Sequence, residues 1–161
     1  MKIIKTKIKD LLVFESVNFY DNRGYFREVL LEKIIKKRFK FTVISSSKKN
    51  VLRGLHMQKK FPQGKYISVI KGKILDVVVD CRRKSKTFGK VFSIILSEKN
   101  CKSIYIPEGF AHGYIVKSEQ SIVVYKCTNY YFFVKSPLCP ILFSSIEKIK
   151  IDTYFCPNKF I

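Results

Sequence analysis

An arginine and a histidine three residues apart form the first group in this sequence that could do chemistry. Arg53 and His56 lie within the stretch 51–58 (VLRGLHMQ), and His112 is the other of the two histidines in the chain. A guanidinium group binds anions and an imidazole transfers protons near neutral pH, so the stretch indicates an anionic substrate and proton transfer. Residues i and i+3 of a regular strand point to opposite faces. Arg53 and His56 therefore converge only if the backbone turns at Gly54.

Other kinds of active site find little support in the sequence. Two histidines without an H-x-H motif or a neighbouring His/Glu pair are too few for a zinc or iron centre, although Asp76 and Glu108 are carboxylates that could join one. The five cysteines are odd in number, widely spaced and without a C-x-x-C motif, which predicts reduced thiols. No G-x-S-x-G, G-x-G-x-x-G or P-loop motif occurs. Acid–base chemistry remains, with the histidines, Lys65, Tyr125 and Tyr130 as candidate groups.

The charge and hydropathy of the chain limit the partners that it can bind and the compartment in which it can act. The formal net charge is +20, but the lysines are spread over the whole sequence rather than gathered in one block. This distribution favours an anionic small molecule over specific nucleic-acid binding. No apolar run reaches the roughly 18 residues that span a bilayer, and the first nine residues alternate charged with apolar side chains, unlike a signal peptide. We therefore expect a cytoplasmic protein without a membrane segment.

Short strands separated by turns dominate the pattern of the chain. At 161 residues and 47% hydrophobic content, we expect a single domain, 1–161, with a substantial core. Beside the 51–58 stretch, strands are predicted at 11–19, 25–29, 41–45, 65–70, 73–80, 90–96, 102–106, 111–116 and 121–126. Helical spacing predicts one helix over 30–40, and loops are predicted at 46–50 and 59–64. The pattern is typical of an antiparallel sandwich or barrel, with irregular structure from Tyr130 onward.

Seven segments resemble, in the same order, those of a known enzyme family. They are 21–28 (DNRGYFRE), 50–58 (NVLRGLHMQ), 63–65 (QGK), 76–82 (DVVVDCR), 85–89 (SKTFG), 106–113 (IPEGFAHG) and 125–128 (YKCT). Together they make the chain similar to the RmlC-type dTDP-4-dehydrorhamnose 3,5-epimerases of the cupin superfamily. The resemblance implies an all-β fold, a cupin-type antiparallel jelly-roll barrel with one or two short helices.

The resemblance also implies a reaction and the residues that perform it. Members of the family act on a nucleotide-linked 4-keto-6-deoxy sugar, whose C4 ketone acidifies the protons on C3 and C5. A base removes a proton, a cation stabilises the enolate and an acid returns a proton to the opposite face, with no cofactor and no metal. Carried over to this chain, the base is His56, the acid is Tyr125 and the cation is Lys65. The residues expected to contact the sugar nucleotide are Arg23, Glu28, Arg53 and His112, with Tyr130 lining the sugar pocket.

The family resemblance further implies an assembly and a pathway. Its members are homodimers with exchanged strands, which would bring Arg23 close to the site of the partner subunit. The implied pathway is dTDP-rhamnose biosynthesis, which supplies polysaccharide synthesis with an activated sugar.

Four positions depart from the family pattern. A carboxylate that pairs with the base histidine is expected near the C-terminus, where this chain has Ser145, and Glu147 lies two residues on. Losing such an orienting carboxylate costs on the order of 10⁴ in rate in triad proteases. Phe41 and Val43 stand where the family has Gln and Asn, and Ser136 stands where it has Glu. The alternative hypothesis is therefore a catalytically impaired cupin relative that binds sugar nucleotides or a protein partner.

Overall fold

Two antiparallel sheets packed against each other form the body of the computed structural model, which describes residues 1–131. The strands are β1 (Lys2–Lys5), β2 (Leu12–Glu15), β3 (Phe19–Asp21), β4 (Gly24–Phe26), β5 (Phe41–Lys48), β6 (Leu52–His56), β7 (Lys65–Lys71), β8 (Lys73–Asp80), β9 (Val91–Ser97), β10 (Lys102–Ile106), β11 (Phe110–Val116) and β12 (Gln120–Cys127). The larger sheet has the order β1-β2-β10-β7-β12-β5, the smaller has the order β6-β11-β8-β9, and β3 pairs with β4 in a separate hairpin. The predicted all-β antiparallel jelly roll is confirmed.

The hydrophobic core lies between the two sheets and follows from the two-residue period of the strands. Ile67 and Val69 of β7 and Val123 of β12 point inward from the larger sheet, and each is at most 1% exposed. Ile74 and Val78 of β8 meet them from the smaller sheet and are fully buried. Burying one such side chain contributes about 1.5–3 kcal/mol. Because inward positions recur at every second residue, the same sheets also decide which polar side chains face one another.

A second apolar layer covers the outer face of the larger sheet. Phe14, Tyr66 and Tyr105 project from that face and are nearly fully buried. Most of the side chains that cover them come from the segment between the hairpin and β5, namely Val29, Leu30, Ile34, Ile35 and Phe39, and Met1 and Leu12 complete the layer. The Tyr66 hydroxyl donates a hydrogen bond of 2.6 Å to the Val29 carbonyl. This segment is therefore held by packing on the sheet.

The helix predicted over 30–40 is mostly wrong. The observed helix, α1, runs only from Glu32 to Ile35 and ends where Lys36 adopts a φ of 54°. No side chain caps its N-terminus at Leu31, and so short a helix is not stable by propensity alone. The apolar spacing of the segment reflects contact with the sheet rather than a long helix. No helix within residues 1–131 is long and apolar enough to cross a membrane.

Strand boundaries at both ends of the larger sheet were also mispredicted. Strand β1 was not predicted, yet its residues pair with β2 from Lys2 to Lys5 as an edge strand. Lysines such as Lys2 and Lys5 at the two ends of β1 are typical of such edges, because charged side chains block pairing with other chains. The loop predicted at 46–50 is wrong in part, since β5 continues to Lys48 and pairs with β12 along its full length. The single strand predicted at 11–19 is divided into β2 and β3.

Asp80 at the end of β8 is the centre of a structural hydrogen-bond cluster. Its carboxylate accepts hydrogen bonds from Arg82 Nε and Nη2 at 2.9 Å, and from the hydroxyls of Ser85 and Thr87 at 2.7 Å. Arg82 also pairs with Asp10 at 3.0 Å. Burial alone would raise the pKa of Asp80, but the hydrogen bonds from Arg82, Thr87 and Ser85 outweigh it and hold the pKa well below its usual 3.8. Two of the resembling sequence segments therefore meet here in a structural role.

We predict that Asp80→Asn destabilises the protein by about 2–3 kcal/mol at neutral pH, because Arg82 loses its charged acceptor. The folded-state pKa of Asp80 lies below the unfolded value of 3.8, so its contribution is complete above that pH and is lost as the pH falls through the folded-state pKa. The difference in thermal midpoint between wild type and variant should therefore narrow in acid. The control is Asp21→Asn, which breaks the exposed ion pair with Arg23 and should leave the midpoint unchanged. A difference that stays constant in acid would contradict this assignment.

Candidate active site between the two sheets

A bulge in β6 brings Arg53 and His56 to the same face of the smaller sheet. His56 pairs with His112 and Arg53 pairs with Tyr114, so three steps along β6 oppose two steps along β11. His112 and Tyr114 are two residues apart on one strand and share a face. Their partners Arg53 and His56 therefore share it as well. Arg53 and His56 converge as predicted, but Gly54 lies within β6 at a β-bulge and not in an exposed turn.

Two glycines permit this bulge. Gly54 has a φ of +112°, a conformation that residues with a Cβ atom rarely adopt. Its peptide bond to Leu55 is cis. A Cβ atom at Gly54 would lie 2.6 Å from the Gly113 Cα and 2.6 Å from the His112 carbonyl oxygen. A Cβ atom at Gly113 would lie 2.7 Å from the Arg53 carbonyl oxygen. Strands β6 and β11 can approach this closely only because neither glycine carries a side chain.

His112 is held in the smaller sheet by a buried carboxylate. Its Nε2 atom lies 2.7 Å from Asp76 Oδ2, and the two residues are 4% and 0% exposed. The second carboxylate oxygen, Oδ1, has no hydrogen-bond partner among the described residues. Sequence analysis considered Asp76 only as a metal ligand, whereas the structure pairs it with His112. Residues 1–131 contain no group of three or more His, Cys, Asp and Glu side chains that could hold a metal ion.

The larger sheet contributes a lysine and a tyrosine to the same space. Lys65 of β7 stands directly opposite Cys127 of β12. Burial lowers the pKa of the Lys65 ammonium, while Cys127 and Asp76 act in the opposite direction. Asp76 belongs to the smaller sheet, so its electrostatic effect on Lys65 indicates that these groups face one another across the gap between the sheets. Tyr125 of β12 lies two residues before Cys127 and shares its face.

Tyr125 is embedded in a cluster of hydroxyl groups. Its hydroxyl oxygen lies 3.2 Å from Ser45 Oγ, and Ser45 Oγ lies 2.8 Å from the Tyr114 hydroxyl. Burial and the nearby Tyr114 raise the pKa of Tyr125 far above its usual 10, and Ser45 and Arg53 oppose this effect. Tyr125 is therefore a neutral phenol at physiological pH and can act only as a proton donor or hydrogen-bonding group.

His56 is electrostatically coupled to three of the other candidate residues. Burial, followed by the electrostatic effects of Lys65, His112 and Arg53, lowers its pKa from 6.5 to about 4. The imidazole is therefore neutral at physiological pH, which is the state that accepts a proton. The side chain nevertheless remains accessible to solvent. The structure thus brings together His56, Lys65, Arg53, His112 and Tyr125.

Three other predicted residues occupy the periphery or lie apart. Arg23 is in the turn of the β3–β4 hairpin, with its side chain 90% exposed and paired with Asp21. The Glu28 side chain is exposed and makes no described contact with the cluster. Tyr130 is 65% exposed, its ring stacks on Phe41 with centroids 5.8 Å apart, and its carbonyl accepts a hydrogen bond from Gln58 Nε2. Ser136, Ser145 and Glu147 lie outside the described residues.

Sequence analysis missed two serines and a tyrosine of the site. Ser47 accepts a hydrogen bond of 2.8 Å from Arg53 Nε, and Ser45 joins the two tyrosine hydroxyls described above. Residues 45 and 47 of a strand point the same way, so the run Ser45-Ser-Ser47 carried a usable signal. The predicted loop at 46–50 concealed it. Tyr114 gave no signal of its own, because a tyrosine next to a Gly in a buried strand is typical of core packing.

Known proteins of one family resemble this chain over most of its length. The model of the family described as dTDP-4-dehydrorhamnose 3,5-epimerase matches residues 5–137. A Methanothermobacter thermautotrophicus protein with that name is 43% identical over 135 residues, which cover 81% of this chain and 73% of the relative. The crystal structure of an Elizabethkingia anophelis dTDP-4-dehydrorhamnose 3,5-epimerase has a TM-score of 0.75 at 43% identity, covering 82% of this chain and 76% of that one.

A second similar structure contains a ligand. It is a dTDP-6-deoxy-D-glucose-3,5-epimerase from Legionella pneumophila in complex with dTDP-4-keto-L-rhamnose. Its TM-score is 0.78 at 42% identity, and the match covers 81% of this chain and 73% of that one.

We predict that Gly54→Ala disturbs the site, whereas Gly89→Ala does not. Both glycines have a positive φ, which costs an alanine about 1 kcal/mol, but a Cβ atom at Gly89 meets nothing within 4 Å. Gly54→Ala should therefore lower the thermal midpoint more than Gly89→Ala and should shift the imidazole NMR signals of both histidines. Equal effects of the two substitutions would show that the contact between β6 and β11 tolerates a side chain.

We also predict that the pKa of His56 in solution lies below 6.5. The chain has only two histidines, so an imidazole ¹⁵N titration resolves both, and the His56→Ala spectrum assigns them. His56 should remain neutral through the physiological range and take up its proton only in acid, because burial and neighbouring cations disfavour the imidazolium. A value at or above 6.5 would instead mean that a carboxylate outside residues 1–131, such as Glu147, pairs with His56.

Proposed function

The chain belongs to the dTDP-4-dehydrorhamnose 3,5-epimerase family, and we propose that it catalyses the reaction of that family on a dTDP-linked 4-keto-6-deoxy sugar. The proposed reaction inverts C3, C5 or both by removing a proton from one face of the sugar and returning one to the other. One observation carries the proposal. His56 belongs to the smaller sheet and Tyr125 to the larger sheet, and both side chains face the space that also contains Lys65 and Arg53.

The proposed chemistry begins with proton abstraction by His56. The C4 ketone of the sugar acidifies the neighbouring C–H groups, and the neutral imidazole takes up the proton while the electron pair moves to the ketone oxygen. The lowered pKa of His56 keeps the base unprotonated and available at physiological pH. The Lys65 ammonium stabilises the enolate oxygen. Asp76 favours that charged form of Lys65 against the effect of burial.

Tyr125 completes the proposed reaction from the opposite side. Its phenol donates a proton to the enolate carbon, the new C–H bond forms on the face opposite to His56, and the configuration is inverted. The imidazolium then releases its proton to solvent and the phenolate recovers one, so no net proton is consumed. Neither step requires an added cofactor in this scheme.

We assign substrate binding to the remaining polar residues of the cluster. The Arg53 guanidinium, oriented by Ser47 at 2.8 Å, is exposed and suited to the diphosphate. His112, fixed by Asp76, is suited to hydrogen-bonding a sugar hydroxyl or ketone. Tyr130 stands at the rim next to Phe41 and is proposed to line the sugar pocket. The net charge of +20 would accelerate encounter with a doubly charged nucleotide sugar.

We further propose that the active form is a homodimer. The β3–β4 hairpin and the residue two positions before it expose five large apolar side chains, each 49–74% exposed, from Val17, Phe19, Tyr20, Tyr25 and Phe26. A group of this kind on a soluble protein marks an interaction surface. The Arg27 guanidinium donates hydrogen bonds to the carbonyls of Glu98 and Val69 at 3.0 and 3.1 Å, which holds the base of the hairpin. Docking on a second copy would place Arg23 and Glu28 at the partner's site.

Two further proposals concern the domain organisation and the compartment of the protein. We propose that residues 1–161 form one cupin-like domain, and that the protein acts in the cytoplasm. Cys101 and Cys127 are reduced thiols within residues 1–131, which fits a reducing environment.

Deuterium exchange tests the proposed function. Incubation with dTDP-4-keto-6-deoxyglucose in D₂O should introduce deuterium at C3, C5 or both, followed by NMR, because each inverted carbon receives its proton from a solvent-exchanged group. His56→Ala is the control and should abolish incorporation at every carbon. Incorporation at C3 alone would define a 3-epimerase. Absence of incorporation above the level of His56→Ala would refute the epimerase activity for this substrate.

A further inference from the structure

Three hydroxyl groups from three strands meet beside the proposed proton donor. Ser45 of β5 lies between Tyr114 of β11 and Tyr125 of β12, with oxygen–oxygen distances of 2.8 and 3.2 Å. The tyrosine rings are 6.3 Å apart and inclined by 37°. Tyr114 is only 1% exposed and belongs to the core, whereas Tyr125 borders the candidate site. A hydrogen-bonded chain therefore runs from the core, through Ser45, to Tyr125.

The number of hydrogens in this chain limits how it can be arranged. A serine hydroxyl has one hydrogen and two lone pairs, so Ser45 can donate to only one of the two tyrosines, and Tyr125 either donates to Ser45 or accepts from it. In one arrangement Tyr125 donates to Ser45, and its proton is then directed away from any substrate. In the other, Tyr114 donates to Ser45 and Ser45 donates to Tyr125. Only the second arrangement leaves the Tyr125 proton free to reach a carbon in the site.

The second arrangement also stabilises Tyr125 after it has lost its proton. Burial raises the pKa of Tyr125, which opposes formation of a phenolate, and the hydrogen bond from Ser45 acts in the opposite direction. A phenolate accepts this bond more strongly than a phenol does, because charge-assisted hydrogen bonds are stronger than neutral ones. The 3.2 Å distance is long for a bond between two hydroxyls. It leaves room to shorten as negative charge develops on the Tyr125 oxygen.

We propose that Ser45 and Tyr114 are positioning residues that direct the Tyr125 proton toward the substrate and stabilise the Tyr125 phenolate formed during epimerisation. This inference rests on the proposed function. In the step concerned, the Tyr125 O–H bond breaks, a C–H bond forms at the enolate carbon, and the negative charge moves from the enolate to the phenolate oxygen. Ser45 donates to that oxygen throughout, Tyr114 donates to Ser45, and neither residue gives up its own proton to the substrate.

The enolate can return to substrate or go on to product, and the ratio of these two outcomes distinguishes a positioning role of Ser45 and Tyr114 from a purely structural role. Once formed, the enolate either regains a proton from the His56 side and returns to substrate, or receives one from Tyr125 and becomes product. In D₂O the first route places deuterium in recovered substrate and the second places it in product. The ratio of the two is a property of each turnover, so it does not depend on how much of a variant is folded. Slower delivery from Tyr125 raises the ratio of deuterated substrate to product.

The test measures this ratio for Ser45→Ala and Tyr114→Phe with dTDP-4-keto-6-deoxyglucose in D₂O. Loss of one hydrogen bond to a charged oxygen should slow product formation about 10- to 100-fold in Ser45→Ala and should raise the ratio by a similar factor. Tyr114→Phe should shift the ratio in the same direction by a smaller factor, because Ser45 can still donate to Tyr125. Ser45→Thr retains a hydroxyl and should restore part of the loss.

Two matched controls accompany these variants. Ser46→Ala removes a serine hydroxyl from the opposite face of β5, where it accepts a hydrogen bond from Gln120. Tyr105→Phe removes the hydroxyl of a tyrosine that is 4% exposed and belongs to the outer apolar layer. Both should retain the wild-type ratio. If wild-type protein exchanges but Ser45→Ala and Tyr114→Phe keep its ratio, the inference is overturned while the epimerase proposal stands. If wild type does not exchange, the proposed function itself fails.

Discussion

The close contact between Gly54 and Gly113 is the constraint on which the candidate site depends. This contact allows β6 to contain a bulge and still pair with β11. The extra residue of the bulge moves the side chains that follow it to the opposite face of the sheet. Without that reversal, Arg53 or His56 would point to the outer surface of the smaller sheet. The anion-binding group and the proposed base would then lie on opposite sides of the protein. The backbone contact between Gly54 and Gly113 thus determines which face of the sheet carries Arg53 and His56.

Burial between the sheets sets the protonation states of the cluster. It lowers the pKa of His56 and of Lys65 and raises that of Tyr125, so every one of these groups is shifted toward its neutral form. A neutral imidazole suits the proposed base and a neutral phenol suits the proposed acid, but a neutral amine would not suit the role proposed for Lys65. Cys127 and Asp76 oppose the effect of burial on Lys65 and favour its ammonium form. Pairs of groups with oppositely shifted pKa values are typical of acid–base catalysts.

The sequence predicted the strands well and the surroundings of the site less well. Strands β7, β8 and β10–β12 were recognisable because their apolar residues lie in short runs bounded by glycine and proline turns. The helix over 30–40 was overestimated because apolar residues that pack on a sheet can have the spacing of a helix face. Ser47 was overlooked because a loop was predicted from residue 46, whereas pairing with β12 continues the strand to Lys48. The hydroxyl chain to Tyr114 depends on contacts between strands distant in sequence, which no local pattern contains.

The arrangement of two facing sheets explains why this fold suits inversion of configuration. Sheets packed face to face are roughly 10 Å apart, so side chains from both sheets can address one small molecule between them. The smaller sheet presents His56, His112 and Arg53, and the larger sheet presents Lys65, Tyr125 and Ser45. In the proposed reaction, a ring held between them would meet the proposed base on one face and the proposed acid on the other. Inversion then requires no rotation of the substrate, because an enolate is flat and each sheet addresses one of its faces.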